Sequence, residues 1–181
     1  MTHPVDVRAA PPPSELIIGM DGFIGRHLCT RLPEAQRTSR RNANLESAHH
    51  FDLVKQGPLP NNVSIVYICA GVNGTLTCMQ NPQLSWRANV DGTIYIAEHY
   101  RDIAHVVWIG STTAEWMRED YGIQKRATEM YLRGLPHVGI VRAGRVMNSN
   151  VDNLCDLLID IGRKRKRGVF LWNVEEKPYA H

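Results

Sequence analysis

The chain has no long hydrophobic run and few of the residues that cross-link small folds. Its longest purely apolar segment, residues 65–70, is far shorter than the roughly 20 residues of a membrane-spanning helix. The four cysteines form no C-x-x-C pair and the eight histidines are scattered, so we expect neither a disulfide scaffold nor a metal site. No basic segment followed by an apolar one precedes residue 14, so we expect a reducing, cytoplasmic location without membrane attachment.

Charge is nearly balanced, with 21 basic and 18 acidic residues and a net charge of +3. Five of the basic residues are consecutive, at 163–167, and without them 16 basic residues face 18 acidic ones. A nucleic-acid partner is therefore not expected. The basic run suits the C-terminal turn of a helix, where cations complement the helix dipole; phosphate binding and a localisation signal are the alternatives.

Hydrophobic periodicity predicts strands alternating with helices after a flexible leader, residues 1–14. Apolar runs predict strands at residues 16–18, 65–70, 105–109, 138–142 and 169–172, and short candidate strands lie at residues 36–39 and 50–53. Helical spacing predicts helices at residues 23–32, 82–103, 119–133 and 150–161, and turn chemistry at 57–62 leaves no room for another. Because such alternation implies right-handed crossovers, we expect a single α/β domain at residues 15–181 with a doubly wound parallel sheet of six or seven strands.

Three glycines at three-residue spacing, Gly19, Gly22 and Gly25, stand where the first strand meets the first helix. Without a Cβ the chain can turn tightly, and a pyrophosphate can approach the backbone N–H groups at the positive end of the helix. The alternative is a tight strand-to-helix turn that binds nothing. The flanking strand and helix favour a dinucleotide site.

Residues 16–32 closely resemble the opening of the extended short-chain dehydrogenases/reductases, the NAD-dependent epimerase/dehydratase family. Further matches follow in that family's order at residues 52–53, 70–71, 89–93, 111–112, 121–125 and 142–148. The resemblance covers residues 15–181 and implies a Rossmann-like fold and a small-molecule substrate such as a nucleotide sugar. The implied cofactor-binding residues are Gly19, Gly22, Phe23, Ile24, Gly25, Asp52, Leu53, Ala70, Gly71, Asn89 and Lys125.

Tyr121 and Lys125 lie four residues apart, so on a helix they share one face. A phenol has a pKa of about 10, and a neighbouring ammonium is expected to lower it. Tyr121 could then exchange a proton with a substrate oxygen while hydride passes to or from nicotinamide. Thr112, by its place after a strand, would hydrogen-bond the same oxygen, with Ser111 and Thr113 as alternatives. The alternative is a half-exposed tyrosine beside a surface lysine, but the preceding strand end and the glycine turn favour the catalytic pair.

The end of the second strand, residues 38–41, reads Thr-Ser-Arg-Arg and contains no acid. An acidic residue there would bind the ribose 2′-hydroxyl and a basic one a 2′-phosphate, so Arg40 and Arg41 favour NADP over NAD. The alternative is two solvated arginines. Asp21 lies inside the glycine turn and is not predicted to be the missing acid.

Three departures from the family pattern bear on function. Only eight residues separate Thr112 from Tyr121, Ala143 stands where proline often follows arginine, and the helical substrate lobe is absent or reduced to residues 150–181. We expect an NAD(P)-dependent oxidoreductase or epimerase, with a non-catalytic dinucleotide-binding module as the alternative. A reduced lobe would expose the apolar face of the 150–161 helix, which predicts a homodimer or a partner chain that completes the site.

Overall fold

The predicted strands pair in parallel in a computed structural model that describes residues 14–41 and 48–172. In these residues the strands are β1 (Glu15–Ile18), β2 (Gln36–Ser39), β3 (His49–His50), β4 (Ile65–Ile68), β5 (His105–Ser111), β6 (Val138–Ala143) and β7 (Gly168–Trp172). The expected leader, apart from Ser14, lies outside the described residues.

Helices cover both faces of this sheet. They are α1 (Phe23–Arg31), α2 (Thr75–Gln80), α3 (Pro82–Trp86), α4 (Thr93–His99), α5 (Asp120–Leu132) and α6 (Val151–Arg163). A π-helical turn, Arg87–Gly92, joins α3 to α4, and a 3₁₀ turn, Thr112–Glu115, follows β5. Within the described ranges, none of the helices combines the length and the apolar character that crossing a membrane requires.

The strand order is β3-β2-β1-β4-β5-β6-β7, with all strands parallel. The predicted doubly wound parallel sheet is therefore confirmed. The order reverses between β1 and β4, and connections leave these two strands toward opposite sides. A crevice opens there at the carboxyl ends of the strands, and this position is where open α/β sheets bind ligands.

Each face of the sheet has its own hydrophobic core because successive side chains of a strand point to opposite sides. Leu16 and Ile18 of β1 belong to the core under α4 and α5, while Ile17 belongs to the core under α1 and α6. The central strands are buried on both faces, which explains why they read as continuous apolar runs.

The apolar face of helix α6 packs in the core against the sheet, which overturns one expectation. Val151, Leu154, Leu158 and Ile161 are fully buried in the core beside α1. The expected exposed apolar face at residues 150–161 is therefore wrong. Because that face is buried against the sheet, α6 gives no reason to expect a second subunit that covers it.

Other differences concern element boundaries. The strand expected at residues 50–53 is only His49–His50, because Asp52 accepts hydrogen bonds from the Val54 and Lys55 N–H groups and forms a turn. Helix α2 was not predicted, since its six residues have no clear apolar period. The helix expected at residues 82–103 ends at His99.

The basic run at residues 163–167 begins as the end of α6, in agreement with the first interpretation. Arg163 ends the helix and forms an ion pair with Glu15 at 3.1 Å. Lys164 and Lys166 each lie 2.5 Å from the Asp160 carboxylate. Three of the five cations thus neutralise nearby acids.

The side chain of His105, the first residue of β5, is 1% exposed, and neither ring nitrogen has a hydrogen-bond partner of normal geometry among the described residues. Burial, reinforced by the charge of Arg165, lowers the pKa of His105 to about 4. The unfolded chain binds this proton at about pH 6.5, so protonation favours unfolding as the pH falls from there toward 4.

We expect the free energy of unfolding of His105→Leu to fall less than that of the wild type between about pH 6.5 and pH 4. The difference should reach up to about 3 kcal/mol at the low end of this range. Urea unfolding at several pH values measures this. His50→Gln, at an exposed position, is the matched control and should keep the wild-type pH dependence. Parallel pH profiles for His105→Leu and the wild type would contradict the prediction.

Candidate functional site

The turn between β1 and α1 closes only because two of its residues lack a Cβ. Gly19 has a φ of +93°, and a Cβ there would lie 2.7 Å from the Ala70 side chain. A Cβ on Gly25 would collide with the Gly19 carbonyl oxygen. The first turn of α1 is therefore pressed against the ends of β1 and β4.

The N-terminus of α1 is open at the crevice. Gly22 is the exposed N-cap residue and supplies no side-chain cap. The N–H groups of Phe23, Ile24 and Gly25 belong to the first turn of the helix, where no intrahelical acceptor exists. Their partial positive charge and the glycine cradle fit a pyrophosphate group.

Ala70 and Gly71 follow β4 on the other side of the crevice, and Asn89 holds the loop behind them. The Asn89 Oδ1 accepts from the Val72 N–H at 2.7 Å, and its Nδ2 donates to the Val72 carbonyl at 2.9 Å. Asn89 is only 2% exposed and lies in the π-helical turn. It contributes to the crevice indirectly, by positioning this loop.

A buried hydrogen-bond chain that the sequence did not suggest connects this turn to α5. Asn89 Nδ2 donates to Gln124 Oε1 at 2.8 Å, and Gln124 Nε2 donates to Ser85 Oγ at 2.8 Å. The Thr128 hydroxyl also donates to the Asn89 carbonyl at 3.0 Å. An amide at position 124, directly before Lys125, was the available signal.

Helix α5 brings Tyr121 and Lys125 together at the carboxyl end of β5. Lys125 Nζ donates to the Ile109 carbonyl at 3.0 Å and lies 4.9 Å from the centre of the Trp108 ring. The same nitrogen is 5.6 Å from the centre of the Tyr121 ring, so the expected shared face is present. Burial lowers the pKa of Lys125 to about 8.

The phenol of Tyr121 does not have the lowered pKa that the sequence predicts. Burial and the nearby Cys78 thiol raise the pKa of Tyr121 to about 12, although a hydrogen bond with Ser111 opposes the shift. The Lys125 ammonium is directed at the Ile109 carbonyl. At neutral pH Tyr121 is therefore protonated and can donate a hydrogen bond or a proton.

Of the three hydroxyl residues after Gly110, the geometry favours Ser111 as the partner of Tyr121. Its side chain hydrogen-bonds with Tyr121 and accepts from the Thr113 hydroxyl at 2.9 Å. The Thr112 side chain makes no hydrogen bond to another described residue. Ser111 was one of the two alternatives to Thr112.

The other end of the crevice lies beyond β2 and β3. Arg40 and Arg41 follow β2 and are exposed. Burial alone would raise the pKa of Asp52, but the amides that it caps and the charge of Arg40 hold that pKa below its usual value. Leu53 packs beside the core, so Asp52 and Leu53 form a polar and an apolar wall near the arginines.

One turn beyond Lys125, Glu129 forms a buried ion network. It is fully buried and accepts from Arg142 of β6 at 2.7 and 2.8 Å, while Arg133 lies at 2.7 Å. Burial would raise the pKa of Glu129, but Arg142 and its neighbours hold it below the usual value. The network fixes α5 on the sheet.

Ala143 stands where the resembled family often has proline. It lies in β6 and pairs with Ser111 of β5 on one side and Trp172 of β7 on the other.

Among the described residues, no group of three metal-ligating side chains could hold a metal ion. The glycine turn, the crevice and the Tyr121–Lys125 pair agree with the profile of the NAD dependent epimerase/dehydratase family, which matches residues 16–151. The chain belongs to this family. No protein of curated function matches its sequence.

Solved structures of similar fold carry related descriptions. A hypothetical dTDP-4-dehydrorhamnose reductase from Sulfolobus tokodaii is 13% identical with a TM-score of 0.72, over 87% of this chain and 75% of the other. A UDP-N-acetylglucosamine 4-epimerase from Methanobrevibacter ruminantium M1 is 15% identical with a TM-score of 0.72, over 88% of this chain and 76% of the other. Bordetella bronchiseptica WbmF, solved in complex with NAD⁺, is 14% identical with a TM-score of 0.71, over 88% of this chain and 72% of the other. At these identities the likeness shows the fold.

We expect Glu129→Gln to lower the free energy of unfolding by about 3 kcal/mol, because it removes the buried, hydrogen-bonded counter-charge of the Arg142 guanidinium. Chemical denaturation measures this. Glu115→Gln is the matched control: Glu115 is largely exposed and 3.8 Å from the same arginine, so its loss should change stability little. If the two substitutions lowered the free energy of unfolding equally, burial of Glu129 would not be the reason for its contribution to stability.

Proposed function

We propose that this chain is an NAD(P)-dependent oxidoreductase or epimerase in which Tyr121 exchanges a proton with the substrate. The observation that carries the proposal is the grouping of Ser111, Tyr121 and Lys125 at the carboxyl end of β5, beside the crevice of the glycine turn. A proton-transfer group there would face a substrate bound over the nicotinamide end of a dinucleotide.

The residues present fit a dinucleotide that extends across the crevice. The open N–H groups of Phe23, Ile24 and Gly25 would hold the pyrophosphate, and Asp52 with Leu53 would lie near the adenine. When bound, the nicotinamide supplies the hydride acceptor or donor. Lys125 has two further N–H donors besides the one bound to Ile109, and these would reach the nicotinamide ribose.

The protonated Tyr121 is ready to act as an acid. In the reducing direction its hydroxyl donates a proton to the substrate oxygen as hydride arrives, and Ser111 hydrogen-bonds the phenol. In the oxidising direction Tyr121 must first lose its proton, and the Lys125 ammonium stabilises the phenolate formed. We therefore expect oxidation to require a higher pH than reduction.

The substrate class that we propose is a nucleotide sugar. Three observations support it: the family match and two structural neighbours described as a dTDP-sugar reductase and a UDP-sugar epimerase. We also keep a homodimer or a partner chain and a cytoplasmic location as predictions from the sequence.

A non-catalytic dinucleotide-binding module is the second candidate. It is favoured by the pKa of Tyr121 at about 12, and by the bond of Lys125 to the Ile109 carbonyl. Both features stabilise a resting arrangement. Dinucleotide binding without turnover of any UDP- or dTDP-sugar would establish this alternative.

Tyr121→Phe should lower hydride transfer by about 100-fold or more, while dinucleotide affinity stays unchanged, because the phenol moves the proton and the glycine turn binds the pyrophosphate. Absorbance of the reduced nicotinamide, followed with UDP- and dTDP-sugars, measures the rate, and calorimetry measures binding. Ser111→Ala should lower the rate more than Thr112→Ala, since the Ser111 hydroxyl interacts with the Tyr121 phenol. A Tyr121→Phe protein that keeps its rate would refute the proton-transfer role.

We further propose that the chain prefers NADP to NAD through Arg40 and Arg41. Replacing both with alanine should weaken NADP binding by about tenfold or more, the effect of losing charge-assisted hydrogen bonds, and leave NAD binding unchanged. Calorimetric titration with both nucleotides measures this. Arg101→Ala, at an exposed site between α4 and the amino end of β5, is the control. Equal losses for NAD and NADP would sink the assignment.

A further inference from the structure

A carboxylate lies at the end of β2, although residues 38–41 contain none. It belongs to Asp21 of the glycine turn, whose Oδ2 accepts a hydrogen bond from the Ser39 hydroxyl at 2.6 Å. Ser39 is the last residue of β2 and is 1% exposed. The sequence does not predict Asp21 to be the missing acid, yet the fold bonds its carboxylate to this strand end.

Three further hydrogen bonds fix the arrangement. The Met20 N–H donates to the Thr38 carbonyl at 3.0 Å, and the Gly19 N–H donates to the Thr38 hydroxyl at 3.1 Å. These two bonds hold the glycine turn against the end of β2. The Ser39 hydroxyl oxygen accepts from the Arg41 N–H at 3.1 Å, which leaves its single proton directed at Asp21.

The place that Asp21 occupies has a defined chemistry in a dinucleotide-binding sheet. The ribose of the adenosine half lies at the end of the second strand, where an acidic side chain accepts a hydrogen bond from the 2′-hydroxyl. Oδ2 of Asp21 is engaged by Ser39, whereas Oδ1 has no hydrogen-bond partner among the described residues. A carboxylate oxygen in that position can accept a hydrogen bond from a hydroxyl group, and its charge repels a phosphate dianion.

We propose that Asp21 determines cofactor specificity by binding the adenosine ribose 2′-hydroxyl and opposing a 2′-phosphate. The inference rests on the dinucleotide binding proposed above. Asp21 opposes the exposed Arg40 and Arg41, one and two residues beyond Ser39. The chain therefore binds both NAD and NADP, and the balance of the two charges sets the ratio of the affinities.

Asp21→Asn tests the proposal because it removes the charge and keeps an oxygen that can accept from Ser39. We expect the NADP affinity, divided by the NAD affinity, to rise by about tenfold or more, from relief of like-charge repulsion together with loss of a charged acceptor for the 2′-hydroxyl. Calorimetric titration with NADP and NAD measures it. Asp21→Ser should shift the ratio in the same direction. Asp102→Asn, at an exposed site before β5, is the charge-matched control and should leave it unchanged.

The outcomes separate this inference from the proposed function. If the wild type binds both nucleotides and Asp21→Asn keeps the wild-type ratio, Asp21 is not a specificity residue. If Asp21→Asn weakens NAD and NADP equally, Asp21 only supports the glycine turn, and the inference fails. If the wild type binds neither nucleotide, the proposed function fails and takes this inference with it.

Discussion

The close approach of the glycine turn to the ends of β1 and β4 is the constraint on which the rest of the site depends. A Cβ on Gly19 would occupy the space of Ala70, and one on Gly25 would occupy that of the Gly19 carbonyl. With neither atom present, α1 starts directly at the crevice between the two strands. The same turn then comes near enough to β2 to bond with Thr38 and Ser39. The anion binding and ribose recognition proposed for this chain therefore depend on one steric condition.

The opposite wall of the crevice depends on buried polar groups that satisfy one another. A buried carboxylate or amide without a partner is costly, so Glu129 and Gln124 hold α5 in a single register through Arg142 and Asn89. This register sets the position of Tyr121 and Lys125. The same burial raises the pKa of Tyr121 and lowers that of Lys125, so the scaffold that places these groups also keeps both closer to their neutral forms.

Local patterns in the sequence predict the parts of this molecule that local forces decide. The order of strands and helices follows from apolar periodicity, and the shared face of Tyr121 and Lys125 follows from their spacing. The short β3, the burial of α6 and the choice of Ser111 over Thr112 depend on contacts between distant segments. The pKa of Tyr121 could not be predicted from its neighbour Lys125, because desolvation and a competing carbonyl acceptor outweigh the ammonium.

The position of an acid in space, and not its position along the chain, decides what it can recognise. The end of β2 lacks an acid in sequence, yet Asp21, 18 residues before Ser39, is bonded to that strand end in the fold. A determinant carried by the turn is mechanically coupled to pyrophosphate binding, since the same few residues form the α1 N-terminus. The side chains of Arg40 and Arg41, by contrast, are exposed at the strand end and lie outside the turn. In the proposed site, the carboxylate that recognises the 2′-hydroxyl is therefore fixed by the turn that would bind the pyrophosphate, whereas the positive charges that favour a 2′-phosphate belong to exposed side chains.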